Sequence, residues 1–334
     1  MSDRVLLAHG GGGELTARLI AEHILPRLGN PALAPLTDGA LLDAPPGRLC
    51  LTTDASVVRP LEFPGGDIGR LAVAGAVNDL SVMGATPLAL TLSLIIEEGL
   101  PLAVLDRILD SLAATAREAG VPVVTGDTKV IERREGDGLI LSTTGLGVLR
   151  PGITLGMERI QAGDRVLISG TIADHGLAVM ACREGLGLRS PVRSDVAPLG
   201  DLIGGLLAIG GVRFLRDPTR GGIAGVLADL AEKTGLGIEV DEAAIPVSPA
   251  TRQAAELLGL DLLGAANEGK VLAVVDAASA ALVLAACHAH PLGRQAALIG
   301  TVVERAPALA ELVTAYGGRR IISRPVGEEL PRIC

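Results

Sequence analysis

Aromatic residues are almost absent from this chain of 334 residues, which has no tryptophan, one tyrosine and two phenylalanines. Hydrophobic residues still make up 49% of the chain, so aliphatic side chains and alanine must fill its interior. Such residues suit closely packed layers of helix on sheet. Two domains are expected at this length, because a single hydrophobic core stops growing at about 250–300 residues.

Basic charge and long apolar runs are also lacking. The formal net charge is −9 and no run of lysine and arginine occurs, which disfavours a nucleic-acid-binding protein. No apolar stretch approaches the about 18 residues of a membrane-spanning helix. The N-terminal residues MSDRVLLAHGGGG contain only the short apolar run VLLA, unlike a signal peptide. The sequence therefore predicts a soluble, cytoplasmic protein.

No cysteine pair has the spacing of a zinc site or a redox motif. The four cysteines are Cys50, Cys182, Cys287 and Cys334, and without a CxxC they suggest neither a metal centre nor a disulfide framework. The first three lie in apolar stretches and are expected to be small buried hydrophobes. Cys334 is the last residue of the sequence, so it is either an accident of sequence or a thiol that is loaded and hands its group on.

Strand-like and helix-like stretches alternate in both halves of the sequence, and the pattern restarts after Pro151. This rhythm predicts two α/β domains joined by a linker near residues 149–162. We expect a glycine-rich segment at 1–38, an N-terminal domain at 39–150, a C-terminal domain at 151–321 and a flexible tail at 322–334. Pro325 and Pro331 should discourage the tail from docking as a strand or a helix.

Two glycine clusters indicate anion binding. The first is His9, Gly10, Gly11, Gly12 and Gly13, whose backbone N–H groups can wrap phosphates, although a linker has the same composition. It is not a Walker P-loop, because no Gly-Lys-Ser/Thr follows. The second cluster follows Asp217 and enters a helix; a helix N-terminus that starts with glycines is a ready anion site. Its members are Arg220, Gly221 and Gly222.

Asp54, Asp79 and Asp127 each end or follow a predicted strand or helix in the first half. One such aspartate alone is typical of a cap or a turn. Three in one half indicate a Mg²⁺ site, since magnesium prefers carboxylates together with substrate phosphates. Asn78, next to Asp79, adds a further ligand or hydrogen bond.

Two charged residues are candidates for the chemistry. Lys129 follows Asp127 closely and can place a point charge on a phosphate. Glu268, in the turn Asn267–Lys270, is either a general base or a solvated turn residue. His9 and His175 are left open between a contribution to a loop or to acid–base chemistry and a structural role.

The motifs HGGGG, AVNDLSVMGATP, VVTGDTKV, RDPTRGG, NEGK and a final PRIC occur in this order. Together they resemble, over essentially the whole chain, the HypE family of nickel–iron hydrogenase maturation factors, which are carbamoyl dehydratases. That family is part of the aminoimidazole ribonucleotide synthetase, or PurM-like, superfamily. The resemblance implies an α/β fold of the α+β type with two PurM-like domains. A mixed N-terminal sheet would pair in a homodimer, helices would flank the C-terminal sheet, and a flexible tail would follow.

The resemblance also implies a function. HypF would place a carbamoyl group on Cys334, ATP would drive its dehydration to a thiocyanate, and the HypC–HypD complex would receive the cyano group on iron. The implied cofactors are ATP and Mg²⁺. Asp54, Asp79 and Asp127 would hold the metal, and Lys129 and Glu268 would act with Cys334 in catalysis. Cofactor binding would involve the two glycine clusters and the residues Asn78, Asp79, Gly126, Asp127, Thr128 and Asp217.

Other interpretations of the function stay open. A selenophosphate synthetase would carry a reactive cysteine or selenocysteine near the first glycine cluster, and none is present there. An aminoimidazole ribonucleotide synthetase or a thiamine-phosphate kinase would have no need of Cys334. A non-catalytic carbamoyl carrier would have no need of the Asp, Lys and Glu set.

Overall fold

The computed structural model describes residues 3–43, 45–183, 191–314, 316–325 and 333. Cys334, the proposed carrier, lies outside the described residues. Within them, no helix combines the length and the apolar character needed to cross a membrane.

The first domain is built on a mixed four-stranded sheet in the order β1-β6-β4-β5. Strand β4 runs parallel to β5 and antiparallel to β6, and β6 runs antiparallel to β1. A separate short hairpin, β2 with β3, precedes the first long helix. The strands are β1 Leu49–Ser56, β2 Glu62–Phe63, β3 Gly66–Asp67, β4 Ala85–Glu97, β5 Val123–Ile131 and β6 Leu139–Leu149.

One face of this sheet is covered by two helices, and an N-terminal segment packs at its β5 edge. Asp67 caps the first of the two helices by accepting hydrogen bonds from the N–H groups of Gly69 and Arg70, at 2.7 and 2.9 Å. The other face carries exposed side chains such as Leu49 and Leu51. The helical elements are a 3₁₀ turn Leu7–Gly10, α1 Glu14–Leu19, a π-helical stretch Ile20–Ile24, α2 Leu25–Leu28, α3 Ile68–Val82 and α4 Leu102–Glu118.

The second domain is built on a seven-stranded sheet in the order β13-β12-β9-β11-β7-β10-β8. Its neighbours are antiparallel except for β12 with β9, which are parallel. The mixed sheet expected for the first domain is confirmed, and the one parallel pair makes the second sheet mixed as well. The strands are β7 Arg165–Ile168, β8 Val212–Arg216, β9 Gly237–Asp241, β10 Leu272–Val275, β11 Ala297–Val303, β12 Ala310–Val313 and β13 Arg319–Ile322.

Helices cover both faces of the second sheet, as the family resemblance implied. Alternate residues of one strand divide between the two cores: Val166 and Ile168 pack with α5, α7 and α8, whereas Leu167 packs with α6 and α9. The helices are α5 Asp174–Ala181, α6 Gly200–Ile209, α7 Gly222–Thr234, α8 Pro249–Leu258 and α9 Ala280–Ala289, with 3₁₀ turns at Met157–Arg159, Glu242–Ala244 and Pro291–Gly293.

The segment before α6 joins the two domains. Val196 and Ala266 of the second domain pack into the core of the first. The guanidinium Nε of Arg70, on α3, donates to the Val196 carbonyl oxygen at 2.8 Å. The two domains therefore share buried surface along α3, which carries Asn78 and Asp79.

Ile333 differs from the expectation for the tail. It is 6% exposed, packs into the core of the first domain and forms an isolated antiparallel bridge with Val58. An isolated bridge needs only the backbone N–H and C=O groups of Ile333 itself. The N–H groups that Pro325 and Pro331 lack are therefore not required for it. The residue before Cys334 is thus held inside the molecule.

Candidate active site

Asp54 lies on β1 with its carboxylate against helix α3. A Cβ atom at Gly75, on that helix, would stand 2.4 Å from the carboxylate oxygen Oδ2. Only glycine therefore lets the strand aspartate sit on the helix at this point. The seat fixes Asp54 on the helix-covered face of the sheet.

Asp79 lies on α3 one helical turn from Gly75. Its Oδ2 accepts a hydrogen bond from the hydroxyl group of Thr52, on β1, at 2.6 Å. Burial raises the pKa of Asp79, the Thr52 hydroxyl opposes the rise, and the negative charge of Asp54 adds to it. The two carboxylates are thus near enough to repel each other.

Asp217 follows β8 and brings a third carboxylate to the same place. Burial raises its pKa to about 6, and the charges of Asp79 and Asp54 contribute to the rise. The turn after it is fixed by Gly222, which has a φ of +56° and stands where a Cβ would lie 2.3 Å from the Leu263 carbonyl oxygen. The glycine cluster therefore opens helix α7 directly beside Asp217.

Glu268 is the most buried acid of this group, at 4% exposure. Its Oε1 atom is buried and finds no hydrogen-bond partner among the residues that the structure describes. Burial raises its pKa well above the usual range, and the carboxylates of Asp217, Asp195 and Asp54 add to the rise. A buried carboxylate oxygen without a partner is costly, so its place in the site calls for a ligand or a reacting proton.

Asn78 ties Glu268 to the first domain. Its Nδ2 donates to the carbonyl oxygens of Ala197 and Glu268, at 3.1 and 3.3 Å, and its Oδ1 accepts from the N–H of Leu199 at 2.7 Å. The amide therefore positions the backbone of the base candidate. Its assignment as a cofactor-binding residue stays a prediction.

The side chain of Asn267 also holds the backbone around Glu268, through contacts within the second domain. Its Nδ2 donates to the Pro218 carbonyl oxygen at 3.0 Å, and its Oδ1 accepts from the N–H of Ala173 at 2.8 Å. The loop that carries Asp217, the turn that carries Glu268 and the start of α5 are thus held together. The four acids Asp54, Asp79, Asp217 and Glu268 form the feature that we call the acidic cluster.

The first glycine cluster lies elsewhere. Gly10–Gly12 line a cavity of about 300 Å³ together with Gly126, Asp127, Thr128 and Lys129. The side chains of Asp127 and Lys129 are 63% and 66% exposed, with Nζ and Oδ2 3.8 Å apart. We call this the glycine-loop pocket. His9 lies beside it, with the N–H of Leu6 donating to its Nδ1 at 2.8 Å.

One chain does not bring the two features together. Asp54 lies on β1 and Asp127 on β5, which are the two edge strands of the four-stranded sheet. Three strand spacings separate them, about 14 Å. Asp127 pairs with Ser93, whereas Gly126 pairs with the buried Leu92, so Asp127 points to the face away from the helices. Asp127 as a ligand of the same ion as Asp54 therefore stays a prediction that a second chain would have to satisfy.

His175 is fully buried in the first turn of α5. Its Nε2 lies 2.5 Å from the Ile333 carbonyl oxygen, and its Nδ1 lies 2.8 Å from the Ser194 hydroxyl. Burial lowers its pKa, while Asp195 and the Ile333 hydrogen bond oppose the fall. The imidazole is therefore neutral at physiological pH.

Asp195 and Lys270 are site residues that the sequence patterns missed. Asp195 Oδ1 accepts the backbone N–H of Glu268 at 3.1 Å, and its Oδ2 accepts from Lys270 Nζ at 3.0 Å. Lys270 belongs to the NEGK motif, so the sequence offered a reason to consider it as a site residue. Asp195 belongs to no motif, and its partner lies 75 residues away along the chain.

The acidic cluster fits a divalent cation bound with phosphates. Asp79, Asp217 and Glu268, whose pKa values are raised, gain from a neutralising charge. Magnesium usually keeps only one or two carboxylates beside phosphate oxygens and water. Consistently, within the described ranges no three acidic, histidine or cysteine side chains form a complete metal site by themselves.

The chain matches two family models: AIR synthase related protein, N-terminal domain, over residues 36–149, and AIR synthase related protein, C-terminal domain, over residues 161–309. The fold and the acidic cluster thus belong to a two-domain protein of the AIR synthase-related class.

Similarity to individual proteins narrows this class. The chain is 48% identical over 331 residues to carbamoyl dehydratase HypE of Azotobacter vinelandii, covering 99% of this chain and 97% of that protein. A solved structure of the hydrogenase maturation protein HypE in complex with ATP has a TM-score of 0.94 and 42% identity, covering 98% of this chain and 99% of that one. A solved HypE–HypF complex matches with a TM-score of 0.80 and 46% identity, covering 92% and 99%. The chain belongs to the HypE carbamoyl dehydratase family.

Proposed function

We propose that this protein uses ATP to dehydrate the S-carbamoyl group on its own Cys334 to a thiocyanate, which supplies cyanide ligands for the iron of nickel–iron hydrogenase. Membership of the HypE carbamoyl dehydratase family supports the reaction class. The geometry of the acidic cluster supports the assignment of residues.

One observation carries the proposal: the last described residue of the tail and the base candidate are held by the same short segment. Ser194 hydrogen-bonds His175, which contacts the Ile333 carbonyl oxygen. The next residue, Asp195, accepts the backbone N–H of Glu268. Cys334 follows Ile333 at about 3.8 Å between Cα atoms. Cys334 is bonded to Ile333, so the segment that binds the residue before the modified thiol also binds the backbone of Glu268.

The chemistry needs a better leaving group than hydroxide. The amide oxygen of the S-carbamoyl group attacks the γ-phosphorus of ATP, and ADP leaves. The C–O bond then breaks with release of inorganic phosphate, while the nitrogen loses both of its protons in the course of the two steps. The water formally lost ends up in the phosphate.

Glu268 is the proposed acceptor of a nitrogen-bound proton. A carboxylate whose pKa is raised by burial is a stronger base than ordinary glutamate. Within the described part of the chain, its Oε1 atom has no hydrogen-bond partner. Lys129 is proposed to stabilise the charge on the transferred phosphoryl group or on the carbonyl oxygen.

Asp54, Asp79 and Asp127 are the proposed ligands of Mg²⁺, which when bound would neutralise charge on the phosphates. The solved HypE complex with ATP supports nucleotide binding. In this chain the binding residues would be those of the glycine-loop pocket, His9 to Gly13 and Gly126 to Thr128, with Asn78, Asp217, Arg220, Gly221 and Gly222 at the second glycine cluster.

A homodimer is part of the proposal. The outer face of the four-stranded sheet exposes Leu49 and Leu51, at 59% and 70%, and such apolar surface favours burial against a second copy. Pairing through this face with β5 of one chain beside β1 of the other would bring Lys129 of one chain towards the edge strand that carries Asp54 of the other. Both halves of the site would then act on one ATP.

HypF is the proposed donor of the carbamoyl group, as the solved HypE–HypF complex supports. The HypC–HypD complex is the proposed acceptor of the cyano group, and the cytoplasm is the proposed location. Of the three cysteines that were expected to be buried, only Cys287 is; Cys50 is half-buried and Cys182 is exposed.

The test is a mass measurement on the S-carbamoylated protein, loaded by HypF and then freed of it. With ATP and magnesium the protein should lose the mass of one water, and phosphate should appear in equal amount. A Cys334→Ala variant should accept no carbamoyl group. Loss of water without ATP, or retention of the full mass with it, would refute the proposal.

A further inference from the structure

We propose that His175 is a positioning residue that seats the C-terminal segment, because its Nε2–H group donates to the Ile333 carbonyl oxygen while the start of α5 is tied to the residues just before Glu268. The proposal deepens the proposed function and rests on it for its consequence in catalysis. The contact itself can be measured without that function.

The hydrogen-bond chain around the imidazole has only one consistent direction. A carbonyl oxygen can only accept, so Nε2 must carry the proton. In a neutral imidazole Nδ1 is then an acceptor, and the Ser194 hydroxyl must donate to it. The Ser194 oxygen is in turn free to accept the Val196 N–H, which lies 3.1 Å away. Every polar group in this series of hydrogen bonds has a partner. The Ile333 carbonyl oxygen sets the tautomer, and the Ser194 hydroxyl adapts to it and holds Nδ1 in place.

His175 is fixed relative to Glu268 from two sides. The N–H of Ala173 donates to Asn267 Oδ1 at 2.8 Å, and the N–H of Gly176 donates to the Ala266 carbonyl oxygen at 3.1 Å. Both acceptors belong to the residues that directly precede Glu268. A carbonyl group bound to Nε2 therefore has a fixed distance to the base candidate.

The surroundings favour a neutral donor at this point. The ring of Phe63, from the first domain, meets the imidazole edge-on with centroids 5.4 Å apart. The pocket that receives the Ile333 side chain is part of the apolar core of the first domain. An imidazole without charge gives up less hydration there than a lysine or an arginine would, so the tail can bind and leave without stranding a buried charge.

The experiment uses two amides that imitate one ring nitrogen each. The glutamine amide reaches the place of Nε2, the asparagine amide that of Nδ1, and leucine has neither. His175→Gln, His175→Asn and His175→Leu are compared in a background of Cys50→Ser and Cys182→Ser, with Cys287 buried. The rate at which iodoacetamide alkylates Cys334 is followed by intact mass, with and without ATP and magnesium, and thermal unfolding is recorded for each protein.

Losing a hydrogen bond to a buried carbonyl group should raise the alkylation rate about tenfold in the Leu and Asn variants. The Gln variant should stay close to the wild type. Equal rates in all four proteins, or protection kept by Asn and lost with Gln, would overturn the proposal. If the His175 variants do not fold, Ser194→Ala keeps the imidazole and should raise the rate about threefold, because the ring loses the hydrogen bond that holds Nδ1; an unchanged rate would count against the proposal.

Single-turnover dehydration of the S-carbamoylated proteins separates this proposal from the proposed function. If the variants differ in alkylation but none of them, nor the wild type, loses water with ATP, the seat stands and the dehydratase assignment fails. If the wild type loses water and the Asn and Leu variants do so equally fast, the dehydratase stands and the positioning role fails. A slower water loss for Asn and Leu than for Gln is the expected result.

Discussion

The two edges of the four-stranded sheet carry the same type of residue in opposite settings. Asp54, on edge strand β1, faces helix α3 and is packed against Gly75. Asp127, on edge strand β5, faces away from the helices with a side chain that is 63% exposed. One aspartate is part of the buried acidic cluster, and the other lines the glycine-loop pocket.

The acidic cluster is therefore the half of the site that one chain completes by itself, and the glycine-loop pocket is the half that it leaves open. The acidic cluster is held in place, because the side-chain amides of Asn78 and Asn267 donate to the backbone carbonyl oxygens of Glu268 and Pro218. The glycine-loop pocket is open, and its charged pair is only 3.8 Å apart in solvent. Preorganised groups of the first kind are typical of catalysis, whereas exposed ones gain their order from a ligand or another chain.

The largest effect is expected on the buried side. Glu268→Gln should lower the single-turnover rate of dehydration by about 10³-fold, since a general base contributes about 10²–10⁴-fold. Glutamine keeps the size of the side chain, so folding and ATP binding should change little. Single-turnover mass spectrometry of the S-carbamoylated variant measures the rate.

The control is Glu256→Gln, an exposed glutamate on α8, which should dehydrate its carbamoyl group at the wild-type rate. Should Glu268→Gln also keep the wild-type rate, the buried oxygen without a partner has another purpose and the base must be sought elsewhere.

The next effect concerns the exposed face. Leu51→Glu places a charge on the surface proposed to pair in the dimer, and light scattering should find a monomer. Leu257→Glu, on α8, is a matched control because the two leucines are 70% and 68% exposed. A dimer that survives Leu51→Glu would show that the sheets do not pair through this face.

Lys129 tests whether the two halves of the site come from different chains. Lys129→Ala should lower the rate by about 10- to 100-fold, the loss of one charge-assisted contact to a phosphate. Mixed dimers of Lys129→Ala with Glu268→Gln, isolated through two different tags, should regain about half of the wild-type rate, because one of the two sites then has both residues intact.

Mixed dimers that are as slow as their parents would place both residues on the same chain. The distance across the sheet would then have to be covered by movement of the glycine-loop pocket. This result would overturn the shared site and leave the roles of Lys129 and Glu268 open to separate tests.

Much of the local structure could be predicted from the sequence, because it depends on neighbours along the chain. Helix α3 follows from the apolar spacing between Ile68 and Val82 and from the glycine that comes soon after it. The candidate acids were recognisable because small polar residues flank each aspartate beside apolar stretches. The expectation that each lies at the end of an element was wrong for Asp127, which lies in the middle of β5 because the strand continues through Gly126 to Ile131. Strand order is a different matter: Asp54 and Asp127 have alike local settings, and only the sheet shows that they lie on opposite edges.

The contacts across the domain boundary could not be predicted from local patterns. Asp195 stands in a loop without a motif, and its two partners come from the NEGK turn far along the chain. Pro325 and Pro331 argued against strand pairing of the tail, yet Ile333 pairs with Val58 because an apolar pocket awaits its side chain. Long-range burial decided both outcomes.

The smallest effect should appear in stability, through Asp217. Its pKa is about 6 in the folded protein against an ordinary value of 3.8, so between these pH values only the folded state holds the proton. Stability therefore falls as pH rises from about 4 to about 6, and the loss is complete above that range. Asp217→Asn, which has no charge, should be more stable than the wild type by roughly 3 kcal/mol at pH 7, and close to it near pH 4.

Urea unfolding at the two pH values, without nucleotide or divalent cation, measures this difference. Asp201→Asn, exposed on α6, should leave the free energy of unfolding nearly unchanged at both. Added magnesium should stabilise the wild type more than Asp217→Asn. A ligand that binds only the folded state stabilises that state, and the cation relieves a charge repulsion that the Asn variant has already lost. If Asp217→Asn raised the free energy of unfolding equally at pH 4 and pH 7, packing and not charge repulsion would distinguish the buried acidic cluster from the exposed Asp127.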